Sequence, residues 1–164
     1  MQRRELFISL VAGFKDKSKS ESRSLLRPPY NDESSLFELE CHKCDAKCRD
    51  VCEENIILIA KDKTPYISFE GSGCTFCDEC ALACEFGVLT LDNKSNIKAD
   101  IIIEETLCMS WSSVMCFSCK DPCLENAIAF EGLFKTVIDM SKCTACGFCI
   151  SRCPSVAIKV EGLK

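Results

Sequence analysis

Sixteen cysteines in 164 residues make thiols about a tenth of this chain, a composition typical of disulfide-bonded secreted domains or of metal-binding proteins. Residues 1–30 contain seven Lys/Arg and three Asp/Glu, which gives them a charge of +4. The remaining residues contain thirteen Lys/Arg and twenty-two Asp/Glu, a charge of −9, so the net charge of the chain is −5. An acidic body therefore follows a basic arm, and this acidity argues against nucleic acid as the partner.

The first candidate element is the apolar run Leu6–Phe14, which follows Arg3-Arg4. It is too short to span a bilayer, which takes about twenty residues. A twin arginine before an apolar run suggests an export signal, but Glu5 follows the pair and no small-residue cleavage site appears. We therefore expect a short amphipathic helix or a mobile arm on a cytoplasmic protein, with export as the alternative.

A segment rich in Ser, Lys and Arg, Lys15–Arg27, follows the apolar run. Such a composition predicts a flexible linker or docking arm. From Cys41 onward the cysteines recur as quartets about every 33 residues, beginning at Cys41, Cys74, Cys108 and Cys143. A period of this length is typical of repeated supersecondary units.

Short β-favouring runs lie between the quartets, each bounded by polar or turn residues and too short for a helix. Two neighbouring pairs of these runs predict hairpins, one turning through 61–65 and the other through Gly132. The predicted strands are Ile56–Ile59, Tyr66–Phe69, Val88–Leu91, Ile101–Ile103, Ala127–Phe130, Thr136–Ile138 and Ala157–Val160.

The fourth quartet, Cys143, Cys146, Cys149 and Cys153 followed by Pro154, matches the bacterial ferredoxin pattern Cys-x2-Cys-x2-Cys-x3-Cys-Pro at every fixed position. In that pattern the first three cysteines lie on one tight loop and bind three corners of a single 4Fe-4S cluster. The fourth cysteine ligates the partner cluster in two-cluster ferredoxins. This spacing therefore predicts iron–sulfur ligation.

The other quartets vary this pattern. The second has Glu85 in place of the proline, the first has one extra residue between its second and third cysteines, and the third has seven residues after Cys108. Cys108 as a free thiol is the alternative for the third quartet, whose cluster we expect to be the most labile. These quartets are Cys41, Cys44, Cys48, Cys52; Cys74, Cys77, Cys80, Cys84; and Cys108, Cys116, Cys119, Cys123.

We expect all sixteen cysteines to ligate four 4Fe-4S clusters, with either crossed or contiguous sets. Zinc and disulfides are the alternatives, but zinc ribbons use two separated pairs and four cysteines on one tight loop cannot all bridge locally. The sole histidine, His42, is expected to face solvent, and no catalytic residue is evident. The crossed sets are Cys41, Cys44, Cys48 with Cys84; Cys74, Cys77, Cys80 with Cys52; Cys108, Cys116, Cys119 with Cys153; and Cys143, Cys146, Cys149 with Cys123.

The predicted fold is α+β, with two bacterial-ferredoxin-like halves in tandem behind an N-terminal arm. Each half contains two quartets and would hold two clusters. The predicted boundaries are 1–35 for the arm and linker, 36–97 for the first half and 98–164 for the second half.

The entry to the body, Arg27-Pro28-Pro29-Tyr30 followed by Phe37 and the four quartets, resembles the NapF family of ferredoxin-type proteins of the periplasmic nitrate reductase system. The resemblance implies a cytoplasmic accessory protein. Such a protein would bind the precursor of the molybdenum-containing catalytic subunit of periplasmic nitrate reductase before export and help it to acquire its iron–sulfur cluster. A general ferredoxin-type electron carrier is the alternative function.

Overall fold

The computed structural model describes residues 25–31 and 33–163. The helix or mobile arm expected around Leu6–Phe14, and most of the predicted linker, lie outside the described residues. Among the helices in this part of the chain, none has the length and apolar character needed to cross a membrane.

Short helices and short strands alternate along the body, so the mixed α and β content agrees with the predicted class. Three of the helices are four residues long, and each of them lies inside a cysteine quartet and contains its third cysteine. In chain order the elements are α1 (Ser35–Glu40), a 3-10 turn (Cys41–Lys43), α2 (Lys47–Asp50), β1 (Ile57–Ile59), β2 (Pro65–Ile67), α3 (Glu79–Leu82), a 3-10 turn (Leu91–Asn93), β3 (Ala99–Ile103), β4 (Ile128–Glu131), β5 (Lys135–Ile138), α4 (Phe148–Ser151) and β6 (Ile158–Gly162).

The six strands form three antiparallel pairs. β1 pairs with β2, with Ile57 opposite Ile67, and β4 pairs with β5, with Ile128 opposite Ile138. Both predicted hairpins are thus confirmed. The third pair joins β3 to β6, from Ala99 opposite Gly162 to Ile103 opposite Ile158. It therefore pairs the first strand of the segment after position 98 with the last strand of that segment.

The strand predicted at Val88–Leu91 is wrong, because Val88 and Leu89 form a buried bend and Leu91 begins a 3-10 turn, so the segment is not part of a ladder. Its partner is the segment around Tyr30. The Thr90 N–H donates to the Tyr30 carbonyl (2.9 Å), and the Asn31 side-chain amide donates to the Val88 carbonyl (2.7 Å). Pro28 and Pro29, which precede Tyr30, have no N–H to donate. The two segments therefore cannot form the continuous ladder that a strand requires.

Residues 26–31 pack into the body, although the sequence assigned them to the arm. Tyr30 is 1% exposed, and the Ile67 N–H donates to the Leu26 carbonyl (2.8 Å). Arg27 donates to Thr64 Oγ1 (2.8 Å) and to the Pro65 carbonyl (2.6 Å). Residues 26–31 are therefore packed against the body, upstream of position 36, where the sequence predicted the first half to begin.

One hydrophobic cluster runs through both halves of the body. The first half contributes residues such as Ile57 and Phe69, and the second contributes Ile101, Ile128 and Ile158, all less than 6% exposed. A shared cluster of this kind means that burying apolar area stabilises the halves together.

Candidate metal centres

Four cavities in the body are each lined by four cysteines. In every cavity three cysteines come from one quartet and the fourth is the last cysteine of a neighbouring quartet. This grouping is the crossed arrangement rather than the contiguous one. The cavities are site A (Cys41, Cys44, Cys48, Cys84), site B (Cys52, Cys74, Cys77, Cys80), site C (Cys108, Cys116, Cys119, Cys153) and site D (Cys123, Cys143, Cys146, Cys149).

The four cavities are of similar size. Their empty volumes, including space open to solvent, are about 410 Å³ for site A, 450 Å³ for B, 320 Å³ for C and 370 Å³ for D. Site C is no larger than the other sites although the third quartet has the longest loop.

Left-handed backbone conformations shape three of the cysteine loops. Ala46, Asp78 and Gly147 have φ of 61°, 71° and 86° and directly precede α2, α3 and α4. The third cysteine of each loop is then the second residue of its helix. Alternating left- and right-handed residues make successive N–H groups converge, which favours a bound anionic group.

The extra residue of the first quartet is Asp45, which lies between Cys44 and the left-handed Ala46. From Ala46 onward the loop and helix follow the same plan as in the second and fourth quartets. The insertion therefore leaves Cys48 and Cys52 in the usual positions relative to α2.

The fourth cysteines of three quartets accept hydrogen bonds from backbone N–H groups. Leu89, Ala127 and Ala157 donate to the Sγ atoms of Cys84, Cys123 and Cys153 at 3.4, 3.3 and 3.2 Å. Such donors favour the thiolate form. Burial alone would raise the pKa of Cys153, but this bond and those from Ser155 lower it below its ordinary value.

Seven other cysteines have raised pKa values, with burial as the largest cause and facing thiolates as a further raising contribution. The pKa rises to about 12 at Cys80 and Cys149. It rises to about 11 at Cys41, Cys48, Cys74 and Cys119. The seventh cysteine with a raised pKa is Cys143. Without a cation these thiols hold their protons at neutral pH, so binding a metal group as thiolates releases protons.

The long loop of the third quartet is held against β5. The Trp111 Nε1–H donates to the Thr136 carbonyl (3.0 Å), and Lys135 Nζ lies 5.6 Å from the centre of the Trp111 ring. Cys108 is half-buried and lines site C with the three other cysteines. The structure therefore brings Cys108 into the site instead of leaving it isolated.

A polar network that sequence reasoning missed supports the loop of site B. The Tyr30 hydroxyl donates to Asp78 Oδ1 (2.8 Å), and Lys94 Nζ lies 2.6 Å from the same oxygen. Burial and the bond to Asp78 raise the pKa of Tyr30. Pro28, Pro29 and Tyr30 also line site B. The Arg-Pro-Pro-Tyr motif was therefore the one feature of the sequence that could have indicated this support of site B.

The donor set decides which metal group these sites fit. All sixteen cysteines are free thiols in the structure. Among the described residues, no three His, Cys, Asp or Glu side chains are grouped as ligands of a single metal ion. Four thiols spaced around each cavity fit a cluster of several iron atoms, whose corners each take one thiolate. His42 is exposed and lines none of the four cavities.

Comparison with known proteins points the same way. The Fer4 family, described as a 4Fe-4S binding domain, matches residues 136–159. The chain is 32% identical over 142 residues to the ferredoxin-type protein NapF of Escherichia coli K12, covering 84% of this chain and 85% of that protein. The NapF protein of Haemophilus influenzae is 32% identical over 145 residues, with 85% and 80% covered.

A second group of relatives carries a different name. The methylamine utilization ferredoxin-type protein MauM of Methylophilus methylotrophus is 26% identical over 159 residues, covering 84% of this chain and 70% of that protein. The matched domain, the cysteine content and the ferredoxin-type relatives together identify the cofactor as 4Fe-4S clusters.

Proposed function

Because this chain belongs to the NapF family of ferredoxin-type proteins, we propose that it acts in the maturation of periplasmic nitrate reductase. In this role it is a cytoplasmic accessory protein. It binds the precursor of the molybdenum-containing catalytic subunit before export and supplies that subunit with an iron–sulfur cluster or with electrons. It has no catalytic residues of its own.

We further propose that sites A, B, C and D each bind one 4Fe-4S cluster and that the body is a tandem of two ferredoxin-like units. The observation that supports this most strongly is the grouping of the sixteen cysteines into four cavities of four thiols. When bound, each cluster supplies a centre that takes up or releases one electron. The chain's own residues ligate it, direct N–H groups towards its sulfur atoms and limit its contact with water.

Electron transfer without maturation is the second candidate function. The hydrophobic cluster that joins both halves supports it, because sites held in one packed body keep fixed separations. A plain carrier needs only weak and transient contact with its partners. A maturation factor must instead bind the precursor for long enough to deliver its cargo.

A binding experiment separates the two functions. We expect the anaerobically purified full chain to contain about sixteen iron and sixteen sulfide and to retain the cytoplasmic precursor of the catalytic subunit in a pull-down. Deleting residues 1–24, which carry six Lys/Arg against three Asp/Glu, should weaken retention in a salt-sensitive manner without changing the iron content. The deletion stops before Leu25 because residues 26–31 belong to the folded body.

A matched variant with Lys15, Lys17 and Lys19 replaced by glutamine keeps the length of the arm and removes only charge. It should reproduce part of the defect. Full iron content with no retention of the precursor would exclude the maturation role and favour the electron carrier. Zinc at about four per chain without sulfide would instead overturn the proposed ligation.

A further inference from the structure

Two hydroxyl groups are buried without a partner at site C. Ser110 is 1% exposed and Thr136 is 2% exposed, and their Oγ and Oγ1 atoms have no hydrogen-bond partner among the described residues. Both residues line site C together with its four cysteines. Buried polar side chains are almost always hydrogen-bonded in native proteins, so an orphaned pair at one metal site indicates a partner that the polypeptide does not supply.

The fold holds both hydroxyls in place. Ser110 lies in the long loop after Cys108, and the next residue, Trp111, donates its Nε1–H to the carbonyl of Thr136 (3.0 Å). Thr136 is itself fixed within β5, opposite Phe130 of β4. The long loop of the third quartet therefore places the Ser110 hydroxyl at the site. The same loop is hydrogen-bonded to β5, the strand that contains Thr136.

Site C differs from the other three sites in this respect. Two further hydroxyls line it, those of Ser118 and Ser155, whose Oγ atoms lie 3.7 Å from the Sγ atoms of Cys116 and Cys153. No Ser or Thr lines site A. Site B is lined by Thr75 and by the hydroxyl of Tyr30, which is already bonded to Asp78. Site D is lined by Thr144, which is only half-buried, so among the described residues the orphaned buried hydroxyls lie at site C alone.

We propose that the hydroxyls of Ser110 and Thr136 donate hydrogen bonds to sulfur atoms of the cluster at site C and give that cluster the highest reduction potential of the four. The inference rests on the ligand sets proposed above. Reduction adds one negative charge to the cluster and its thiolates. Hydrogen-bond donors stabilise the more negative, reduced form more than the oxidised form, and this raises the potential.

The test is a redox titration of the full-length holoprotein, followed by electron paramagnetic resonance. Dithionite serves as the reductant: it is oxidised, one electron enters each cluster, and no proton transfer is required. The signal of site C is first identified as the one lost in Cys116→Ser. In the wild type we expect this signal to appear at the highest potential.

The two variants that decide the inference are Ser110→Ala and Thr136→Val, each of which removes one hydroxyl and little volume. Each should shift the reduction equilibrium of site C about tenfold towards the oxidised form, which is about 59 mV for a one-electron couple. The iron and sulfide contents and the signals of the other sites should not change. Thr136→Ser keeps the hydroxyl and should restore most of the wild-type potential.

Ser112→Ala is the matched control, since Ser112 lies in the same loop, is exposed and does not line site C. Full iron content with unchanged potentials in both variants would overturn the inference and leave the proposed ligation intact, because a buried water would then be the partner of the hydroxyls. A wild-type protein with less than full iron and no signal lost in Cys116→Ser would overturn the ligation and the inference together.

Discussion

Val156 adopts a left-handed backbone conformation that suits asparagine or glycine better than a β-branched residue. Its φ is 52°, and the residues in the same position after the other fourth cysteines are Asn55, Gly87 and Asn126 with φ of 54°, 67° and 49°. All four follow the last cysteine of a quartet by three residues. The repeat thus depends on a left-handed turn at this point, and the fourth copy contains the residue least suited to it.

Replacing Val156 with asparagine should therefore stabilise the protein by about 1 kcal/mol and raise the Tm by roughly 2–4 °C at this chain length. The side chain is 62% exposed, so little packing is lost. Thermal unfolding under anaerobic conditions at a fixed scan rate measures the effect. Val114→Asn is the control, because Val114 is also exposed but has no positive φ. Equal Tm values for the two variants would contradict the prediction.

Single residues of the Arg-Pro-Pro-Tyr motif act as anchors in the structure. The Arg27 guanidinium lies 4.8 Å from the centre of the Phe37 ring and donates to the β1–β2 turn region. Tyr30 fixes Asp78 inside the loop of site B. The motif that carried the family resemblance therefore anchors residues 27–30 to the body.

The helices α2, α3 and α4 each connect two metal sites within about one turn. α2 holds Cys48 of site A and leads directly to Cys52 of site B, while α3 holds Cys80 of site B and leads to Cys84 of site A. Four residues of helix rise about 6 Å, so the two sites that share a helix are close neighbours. Each of these helices therefore leads from a cysteine of one site to a cysteine of the neighbouring site.

Cys84→Ser should accordingly remove the cluster of site A and leave that of site B, although Cys84 belongs to the second quartet. The iron content should fall from about sixteen to about twelve per chain. The paramagnetic resonance spectrum should match that of Cys44→Ser, a ligand of site A, and differ from that of Cys74→Ser, a ligand of site B. A match to Cys74→Ser instead would show contiguous ligation. Cys52→Ser is the reciprocal case and should remove the cluster of site B.

Local patterns were sufficient for some elements and not for others. The hairpins β1–β2 and β4–β5 follow from short β-favouring runs with polar turns between them, a signal contained within about fifteen residues. The pairing of β3 with β6 joins residues about sixty positions apart, so no local pattern reports it. Val88 and Leu89 were mistaken for a strand because burial of an apolar pair looks the same in a turn as in a strand.

The candidate sites show the same division. The cysteine spacing predicted four ligand quartets, because a loop around a cluster requires ligands at fixed intervals. Ser110 lies inside the third quartet, and Thr136 lies between the third and fourth quartets. Both line site C because Trp111, next to Ser110, is hydrogen-bonded to β5. This arrangement depends on tertiary packing and carries no signature in the sequence.

At the scale of the whole molecule, the loops of sites B and D are in direct contact. The Cys74 N–H donates to the Cys146 carbonyl (2.7 Å), and the Ile97 N–H donates to the Thr144 carbonyl (3.2 Å). Sites A and B are lined by residues before position 98, and sites C and D by residues after it. Sites A and B are connected by helices α2 and α3, and the fourth cysteine of each of sites C and D comes from the quartet of the other. With the contact between the loops of B and D, the four sites follow the order A, B, D, C across the body.

The contact between sites B and D depends on Gly73. A Cβ at this position would lie 2.5 Å from the Phe148 amide nitrogen and 2.7 Å from the Cys146 carbonyl oxygen. These are backbone atoms of the loop of site D, so they can give way only if the two halves separate. Gly147 reinforces the same contact, because its Cα faces the ring of Phe69 without room for a side chain.

Gly73→Ala should therefore destabilise the protein by about 1–3 kcal/mol and lower the Tm by roughly 2–12 °C. It should also weaken the magnetic interaction between the reduced clusters of the inner sites B and D, because that interaction falls steeply with separation. Gly71→Ala is the matched control two residues earlier, where a Cβ would meet nothing within 4 Å and φ is not positive. Restricting the unfolded chain at that position should leave the stability unchanged or slightly increased. If Gly73→Ala were as stable as Gly71→Ala and kept the wild-type magnetic interaction, the inner sites would not be joined through this contact, and the order A, B, D, C would have to be abandoned.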